Sequence, residues 1–375
     1  MKHNWEYKRL GDVCEVIGGS TPKTEITEFW NGNLNWFTPA EISDKKYYCS
    51  SERKITEEAV KATGLTLLPP GTVLLTSRAP IGKVGIATDY CYCNQGFKNL
   101  ICKDGLFNEY LYYSLIYFNE DIKDKGRGAT FKEISKKVTE NISIPIPPME
   151  VQERIVAELD QINDLIAKNR ELLSQLDSLT RSIFYDTFGD PISNPKGWEI
   201  QKLSSISTLI NGRAYKQNEL LDKGKYRVIR VGNFFSNSEY YYSDLEFSQD
   251  KYIEKGDLIF AWSASFGAFI WQGEKAIYHY HIWKVLFDTN SLNKIFYKFL
   301  LNEMTASFMK DLHGIGMMHL TKVGMEQYLL PVPPLALQEA FAEKVEAIDA
   351  QKAKVEAEMA ELQTLLDARM DFWFN

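Results

Sequence analysis

The segment Ile144-Pro145-Ile146-Pro147-Pro148, followed by Gln152-Glu153, recurs 186 residues later as Leu330-Pro331-Val332-Pro333-Pro334, followed by Gln338-Glu339. A repeat of this length indicates a duplicated domain, because the units of solenoid proteins are about 20–50 residues long. The sequence therefore predicts that one chain presents two equivalent surfaces.

The duplication extends well beyond the proline segment. Trp5-Glu6-Tyr7-Lys8-Arg9-Leu10 recurs as Trp198-Glu199-Ile200-Gln201-Lys202-Leu203, and Lys98 aligns with Lys284. The shift between the copies changes from 193 to 185 and back to 186 residues, so the two copies differ in loop length. A shared scaffold with different loops is a common way to diversify recognition surfaces.

An acidic segment with a heptad pattern follows each proline motif. Residues 148–190 and residues 335–375 each carry 4 basic and 9 acidic side chains. Apolar residues recur at alternating spacings of four and three, which is the pattern of a coiled-coil seam. The seam positions are Ile155, Leu159, Ile162, Ile166, Asn169, Leu173, Leu176, Thr180 and Ile183 in the first segment, and Phe341, Val345, Ile348, Lys352, Val355, Met359, Leu362, Leu366 and Arg369 in the second.

The two seams predict two long helices that pair with each other in antiparallel orientation, because an unpaired seam would expose apolar area. The alternative is that each helix packs only on its own domain. The first helix is predicted to end near Gly189-Asp190-Pro191. From Glu150 to Tyr185 it would be roughly 54 Å long at ~1.5 Å per residue, which is suitable for a spacer.

Short apolar runs after glycine turns, such as Thr72 to Thr76 and Leu258 to Ala261, predict short strands in both copies. Each copy is predicted to be a twisted, largely antiparallel sheet with a few packed helices. The predicted fold class is α+β, with two repeated mixed α/β domains joined by two long antiparallel coiled-coil helices. The predicted boundaries are 1–147 for the first domain, 148–190 for the central helix, 191–334 for the second domain and 335–375 for the C-terminal helix.

Composition and charge restrict the class of protein. The chain has 375 residues, of which 45% are hydrophobic, and no stretch is apolar and long enough for a membrane span. All five cysteines lie in the first half, so structural disulfides would not serve both copies and a reduced, cytoplasmic location is expected. The net charge of −7 comes from the two helical segments, which leaves both domains near neutral. Nucleic-acid binding would then depend on local clusters of basic residues.

The chain resembles the specificity (S) subunits of type I restriction-modification systems. The resemblance covers essentially the whole chain and rests on an ordered set of motifs that is present in duplicate. In the first copy these are Trp5 to Leu10, Ile17 to Pro22, Ser77 to Gly82, Asn94 to Lys98, Gly128-Ala129-Thr130, and Pro-x-Pro-Pro followed by Gln-Glu and a long helix.

The resemblance implies two target-recognition domains, each of which reads half of a bipartite double-stranded DNA sequence. It also implies that the helices set the spacing and dock modification (methyltransferase) subunits, two of them, and that restriction subunits join the full complex. The chain itself would not be an enzyme and would bind no cofactor and no metal. The residues agree, since the sequence contains no Asn/Asp-Pro-Pro-aromatic motif and no Gly-x-x-x-x-Gly-Lys-Ser/Thr phosphate loop.

Loop residues that can hydrogen-bond to phosphates or base edges, or place apolar atoms against a thymine methyl, are the candidate DNA contacts. In the first domain they are Ser20, Thr21, Lys23, Ser77, Arg78, Lys83, Gln95, Lys98, Arg127, Thr130 and Lys132. In the second domain they are Arg213, Tyr215, Lys216, Arg230, Asn233, Ser263, Ser265, His281, Lys284, His313, Met317 and His319. Lys98 and Lys284 are favoured because they align in the repeat. Two other classes remain open, namely a bilobal coiled-coil scaffold that binds proteins and an enzyme that acts alone.

Overall fold

The structure is a computed structural model that describes residues 4–78, 80–126, 132–236, 238–263, 265–310 and 320–375. The chain divides into two compact units. The first unit comprises residues 1–170 and 357–375, and the second comprises residues 171–356. Each unit therefore combines one globular domain with parts of both long helices, as expected for a duplicated chain.

The first globular domain contains short strands in three small sheets. The strands are β1 (Glu6–Arg9), β2 (Cys14–Gly18), β3 (Trp30–Phe37), β4 (Tyr47–Tyr48), β5 (Lys54–Ile55), β6 (Val73–Thr76), β7 (Val84–Ala87), β8 (Cys91–Cys93), β9 (Phe97–Cys102) and β10 (Ser143–Ile146). The helices are α1 (Leu10–Val13), α2 (Glu57–Thr63), α3 (Asn108–Tyr117), α4 (Asn119–Asp124) and α5 (Lys136–Glu140), before the long helix α6 (Met149–Phe188). The sheet orders are β1-β10, β2-β9-β6-β7-β4 and β5-β3-β8.

The second globular domain repeats this arrangement. Its strands are β11 (Glu199–Lys202), β12 (Ser207–Asn211), β13 (Tyr226–Ile229), β14 (Tyr241–Ser243), β15 (Tyr252–Ile253), β16 (Leu258–Ser263), β17 (Ser265–Ile270), β18 (Ala276–Tyr278), β19 (Ile282–Phe287) and β20 (Leu329–Val332). The helices are α7 (Leu203–Ile206), α8 (Gly232–Phe235), α9 (Lys294–Glu303), α10 (Thr305–Lys310) and α11 (Lys322–Glu326), before the long helix α12 (Leu335–Phe374). The sheet orders are β11-β20, β12-β19-β16-β17 and β14-β13-β18-β15.

The expectation of one sheet in each domain is corrected by these sheet orders, whereas the expectation of largely antiparallel pairing is confirmed. Each domain holds several small sheets, and the pairs β3–β8, β4–β7 and β13–β18 are parallel. A parallel pair needs a long connection between its strands. Here that connection is the intervening part of the domain, which short apolar runs in the sequence do not reveal.

The proline motif has a clear structural role in both copies. Pro145 lies in β10, which forms a two-stranded sheet with β1, so its missing N–H interrupts no inner ladder of that sheet. The buried side chain of Gln152 then joins the start of α6 to a loop, because its Nε2 donates to Pro147 O at 2.8 Å and its Oε1 accepts from Phe107 N at 2.8 Å. Gln338 makes the same bonds to Pro333 O at 2.7 Å and Asn293 N at 2.9 Å. The repeated Pro-Pro and glutamine thus fix how each long helix leaves its domain.

The long helices follow the predicted seam. In α6 the residues Ile155, Leu159, Ile162 and Ile166 are at most 6% exposed, and every later seam position is buried or half-buried. In the first unit Arg369 and Trp373 of α12 donate to Glu158 of α6, with Nη2–Oε2 and Nε1–Oε2 distances of 3.0 Å. In the second unit Lys352 of α12 pairs with Asp177 of α6. The start of each helix thus meets the end of the other, which confirms the antiparallel pairing.

The helices also complete the cores of the globular domains. The core of the first unit includes Ile155 and Leu159 from α6 together with Phe374 from α12. The core of the second unit includes Phe184 from α6 and Phe341 from α12. Ile155, Leu159 and Phe341 are seam positions, so seam residues pack on the domains as well as between the paired helices, and the alternative of packing on the domains alone is wrong.

Candidate nucleic-acid interface

Five loops of the first domain meet at the end of the sheets where β2 ends and β9 begins. Backbone bonds connect them, from Ser20 N to Cys93 O at 3.0 Å, Asn94 N to Phe37 O at 3.0 Å, Ser77 N to Gly96 O at 2.7 Å and Ile134 N to Ser77 O at 3.0 Å. Gly19 is required at this crossing, because a Cβ there would lie 2.0 Å from Asn94 O. The loops that carry most of the candidate residues are thus held as one surface.

This surface contains a cleft of about 860 Å³. Its lining combines cationic side chains with prolines, an amide and carboxylates, namely Thr38, Pro39, Ala40, Arg78, Pro80, Ile81, Asn94, Lys123, Asp124, Lys132 and Glu133. Four loops contribute to it. The cleft therefore brings together the donors that base edges and phosphates require.

A charged network lies beside the cleft. Lys98 is only 8% exposed, and its Nζ donates to Ser77 Oγ at 3.1 Å and to Glu133 Oε1 at 3.2 Å. Glu133 also lies 3.9 Å from Arg78 Nη1, whereas Lys132 is exposed. Because a buried ammonium needs partners, Lys98 is suited to a supporting role, whereas Arg78, Lys123 and Lys132 present their charges to the cleft.

The other candidates of the first domain occupy the margins of this surface. Thr21 Oγ1 donates to Gln95 Oε1, and the side chain of Lys23 is exposed next to them. Lys83 lines a smaller neighbouring pocket with Ser43 and Asp44.

Arg53 is a further candidate DNA contact that the sequence did not indicate. It lies 3.9 Å above the ring of Trp30, whose Nε1 donates to Lys23 O at 3.2 Å. This places an exposed guanidinium beside the loop that carries Ser20 to Lys23. Its position depends on the fold of the three-stranded sheet, so the sequence held no local signal for it.

The second domain holds its loops with the same set of backbone bonds. They run from Arg213 N to Tyr278 O at 3.0 Å, His279 N to Ile229 O at 2.9 Å, Trp262 N to His281 O at 3.0 Å and Leu320 N to Trp262 O at 3.4 Å. Gly212 has the role of Gly19, since a Cβ there would lie 2.2 Å from Tyr278 O. The two loop surfaces are therefore equivalent in backbone structure.

Their side chains differ in chemistry. The second domain has an aromatic cluster in which the rings of Tyr280 and His281 are 3.9 Å apart, His279 and His281 are 4.7 Å apart, and Trp262 and His281 are 5.2 Å apart. Tyr215 stacks on His279 at 6.4 Å. This surface can offer imidazole and aromatic edges to a ligand where the first domain offers ammonium and guanidinium groups.

Several polar candidates of the second domain have local partners. Arg213 forms a double hydrogen bond with Glu219, at 3.0 and 2.8 Å, and Asn233 accepts from Arg230 N at 2.7 Å while donating to Ser238 O at 2.8 Å. Arg230 and Lys216 are exposed. Ser263 and Ser265 face each other in the tight β16–β17 hairpin.

The alignment of Lys98 with Lys284 is wrong by one residue. Lys98 pairs with Gly18 and Leu75, whereas Lys284 pairs with Ile210 and Ile259. In the second domain, Trp283 occupies the position equivalent to Lys98, because it pairs with Asn211 and Phe260. Because neighbouring strand residues point to opposite faces, Lys284 points elsewhere and donates to Asp257 Oδ2 at 2.7 Å. The repeat therefore gives no support for a shared DNA contact by these two lysines.

Five candidates, Arg127, Thr130, His313, Met317 and His319, lie outside the described residues. Among the described residues, no group of three or more His, Cys, Asp or Glu side chains is arranged to hold a metal ion. No helix in the described ranges is long and apolar enough to cross a membrane.

His279 provides a test of the aromatic cluster. Burial, with smaller contributions from His281 and Arg230, lowers the pKa of His279 to about 4. In the unfolded chain this histidine has a pKa of about 6.5. As the pH falls from about 6.5 to 4, His279 is therefore protonated in the unfolded state but not in the folded state. The free energy of unfolding decreases in that pH range.

We expect the substitution His279→Asn, which introduces the residue found at the equivalent position Asn94, to reduce the loss of unfolding free energy on acidification. The reduction should be about 1 kcal/mol at pH ~5 after allowance for solvent screening. Denaturant unfolding of both proteins at about pH 7.5 and pH 5 measures the difference. Identical pH dependence in the two proteins would contradict the assigned environment of His279.

The comparisons with known proteins agree with this architecture. The chain matches the family described as "Type I restriction modification DNA specificity domain" over residues 2–178 and 195–364, and it belongs to that family. It is 38% identical over 248 residues to the type I restriction enzyme MjaIX specificity subunit of Methanocaldococcus jannaschii, which covers 61% of this chain and 57% of the relative. The matched part of the chain thus spans just over half of the length of that relative.

A second relative, the MjaVIII specificity subunit of the same organism, is 24% identical over 382 residues, which is 93% of this chain and 87% of the relative. Among solved structures, the type I restriction-modification system S subunit from M. genitalium has a TM-score of 0.57 at 16% identity, covering 99% of this chain and 96% of that one. A chain from a study of complex assembly and conformational transition of the type I R-M system has a TM-score of 0.63 at 18% identity, covering 99% and 97%. These similarities show the fold.

Proposed function

We propose that this chain is the sequence-specificity component of a type I restriction-modification complex. Each globular domain binds one half of a bipartite double-stranded DNA target through its loop surface. The observation that carries the proposal is the pair of loop surfaces with the same backbone bonds and different side chains.

The difference in side chains supports two distinct half-sites. The first domain presents Arg78 and Lys132 at its cleft, whereas the second presents the exposed ring of Tyr280, 3.9 Å from the ring of His281. Base readout depends on donors and acceptors, while apolar and aromatic groups contact thymine methyls and bases. The same scaffold would therefore select different base pairs at its two loop surfaces.

Exposed cations on both surfaces provide the phosphate contacts. Arg53, Lys23 and Lys132 are available in the first domain, and Lys216 in the second. These clusters are local, in line with domains that carry almost no net charge. Phosphate contacts would position the duplex without selecting its sequence.

The long helices set the spacing between the half-sites and dock the modification subunits. Leu165, Leu172 and Leu179 of α6 are spaced by seven residues, and they are 46%, 40% and 47% exposed. A row of exposed leucines is typical of a surface that a partner protein covers. Methylation and cleavage would then belong to the modification and restriction subunits, with no catalysis by this chain.

Methylation by the assembled complex tests the proposal. The chain is combined with its modification subunits and incubated with a library of random duplex DNA, and methylated positions are sequenced. The expected result is one bipartite motif, with binding that weakens by about 0.9 log unit per phosphate contact for each log unit of salt. Methylation without sequence preference would contradict the assignment.

A further inference from the structure

The first unit contains a pocket of about 450 Å³ among α3, α6 and α12. Tyrosine rings and carboxylates dominate its lining, which consists of Tyr112, Tyr113, Ile116, Tyr117, Asn163, Gln363, Leu366, Asp367, Met370 and Asp371. All of these residues belong to the first unit. The pocket is separate from the loop surface described above.

Among the residues that the structure describes, the carboxylates of this pocket have no cationic partner. Tyr117 OH donates to Asp371 Oδ1 at 2.9 Å, and Gln363 Nε2 donates to Asp367 Oδ1 at 2.9 Å. Burial and the bond to Asp371 raise the pKa of Tyr117 to about 12, so the phenol keeps its proton and remains a donor. In the described part of the chain, neither Asp367 nor Asp371 forms a salt bridge. Two negative charges therefore face a pocket without compensation.

The internal repeat supplies a comparison for this pocket. Helix α9 corresponds to α3 with a shift of 186, because the residues that precede them, Phe107 and Asn293, bond to the equivalent glutamines. The ends of α12 and α6 correspond with the same shift, since Phe374 packs on Tyr110 as Phe188 packs on Phe296. The counterparts of Tyr117, Asp371 and Asp367 in the second unit are then Glu303, Tyr185 and Arg181.

In the second unit the corresponding phenol and carboxylate again form a hydrogen bond, with their places exchanged. Tyr185 OH donates to Glu303 Oε2 at 2.7 Å. Arg181 completes the group, because its Nη2 and Nε donate to the same oxygen at 3.0 and 3.2 Å. The second unit therefore has a tyrosine, a carboxylate and a guanidinium, whereas the first unit has a tyrosine, a carboxylate and, in place of the arginine, Asp367.

We propose that the pocket of the first unit binds the guanidinium group of an arginine side chain from a modification subunit. Two carboxylates can accept the paired hydrogen bonds of a guanidinium, and the tyrosine rings can contact its faces. The exposed apolar side chain of Ile116, at 38%, and the tyrosine rings of the lining favour a protein partner over a small amine. This inference rests on the docking part of the proposed function. The second unit has its own arginine in this group, and the first unit would receive one from the partner protein.

Asp367→Arg tests the inference, because it places in the first unit the arginine that the second unit already has at position 181. The new side chain should bond to Asp371 and occupy the pocket, so binding of the modification subunit to the full chain should weaken by about tenfold or more, as expected for loss of charged hydrogen bonds. Melting of the free chain should occur at an equal or higher temperature. Glu358→Arg is the matched control, since it makes the same charge change at an exposed position of α12 outside the pocket.

Weaker binding by Asp367→Arg alone supports the inference, and equal binding by both variants and the wild type overturns it. Equal weakening by both variants would indicate general charge repulsion and would also overturn it. A second measurement titrates arginine amide, and separately putrescine, into the full chain with ¹³C-labelled tyrosine and follows the ring signals.

Saturable shifts with arginine amide that disappear in Asp367→Arg support a guanidinium site, and their absence overturns it. Tighter binding of putrescine would overturn the choice of a partner arginine. If the wild-type chain does not bind the modification subunit, the docking proposal fails, and the titration alone decides whether the pocket recognises guanidinium.

Discussion

Replacing Arg78 by alanine is expected to relax recognition of one half of the DNA target and to leave the other half unchanged. Arg78 is half-buried at the cleft of the first domain, where its guanidinium lies 3.9 Å from the carboxylate of Glu133. A paired arginine–guanine contact contributes about 1–3 kcal/mol of discrimination, so preference at one base pair should fall by about tenfold or more.

Methylome sequencing of a host that carries the complete system measures this change. Lys103→Ala is the control, because Lys103 is exposed at the opposite end of β9, where it bonds to the carbonyls of Gly11 and Asp12. Arg230→Ala is the matching variant in the second domain and should relax only the other half. If either arginine variant alters both halves of the motif, the two domains do not read DNA independently.

Lengthening both long helices by one heptad is expected to change the spacer between the half-sites without changing either half. Seven residues add about 10.5 Å of helix and preserve the seam, because the seam repeats every seven residues. At about 3.4 Å per base pair this corresponds to about three base pairs. The insertions belong after Arg170 in α6 and after Glu356 in α12, where the chain passes between its two units.

The spacer is read from the methylated motif of the variant. An insertion in α6 alone serves as the control, because helices of unequal length cannot keep both the Glu158–Arg369 and the Asp177–Lys352 pairs in register. This variant should be unstable or inactive. An unchanged spacer in the double insertion would show that the helices do not set the distance.

The predictions that succeeded depend on patterns that are local along the chain. The heptad spacing identified seam side chains that are buried or half-buried in α6 and α12, including the half-buried Lys352 and Arg369, whose charges pair with the opposite helix. The proline and glutamine motif marked where each helix begins. The list of candidate contacts stays a prediction, although the fold brings Arg78 and Lys132 to one cleft and leaves Lys284 paired with Asp257.

By itself, the sequence determined the duplication and the paired helices, because a repeated motif and a seven-residue period can be read without knowing which segments touch. Tertiary structure alone decided the pairing of the short strands. A shift of one residue in a strand reverses the face of every side chain, and this shift put Trp283 in the place of Lys98. The tertiary structure also decided the pocket that contains Asp367 and Asp371, since contacts among three helices arise only when distant segments pack together.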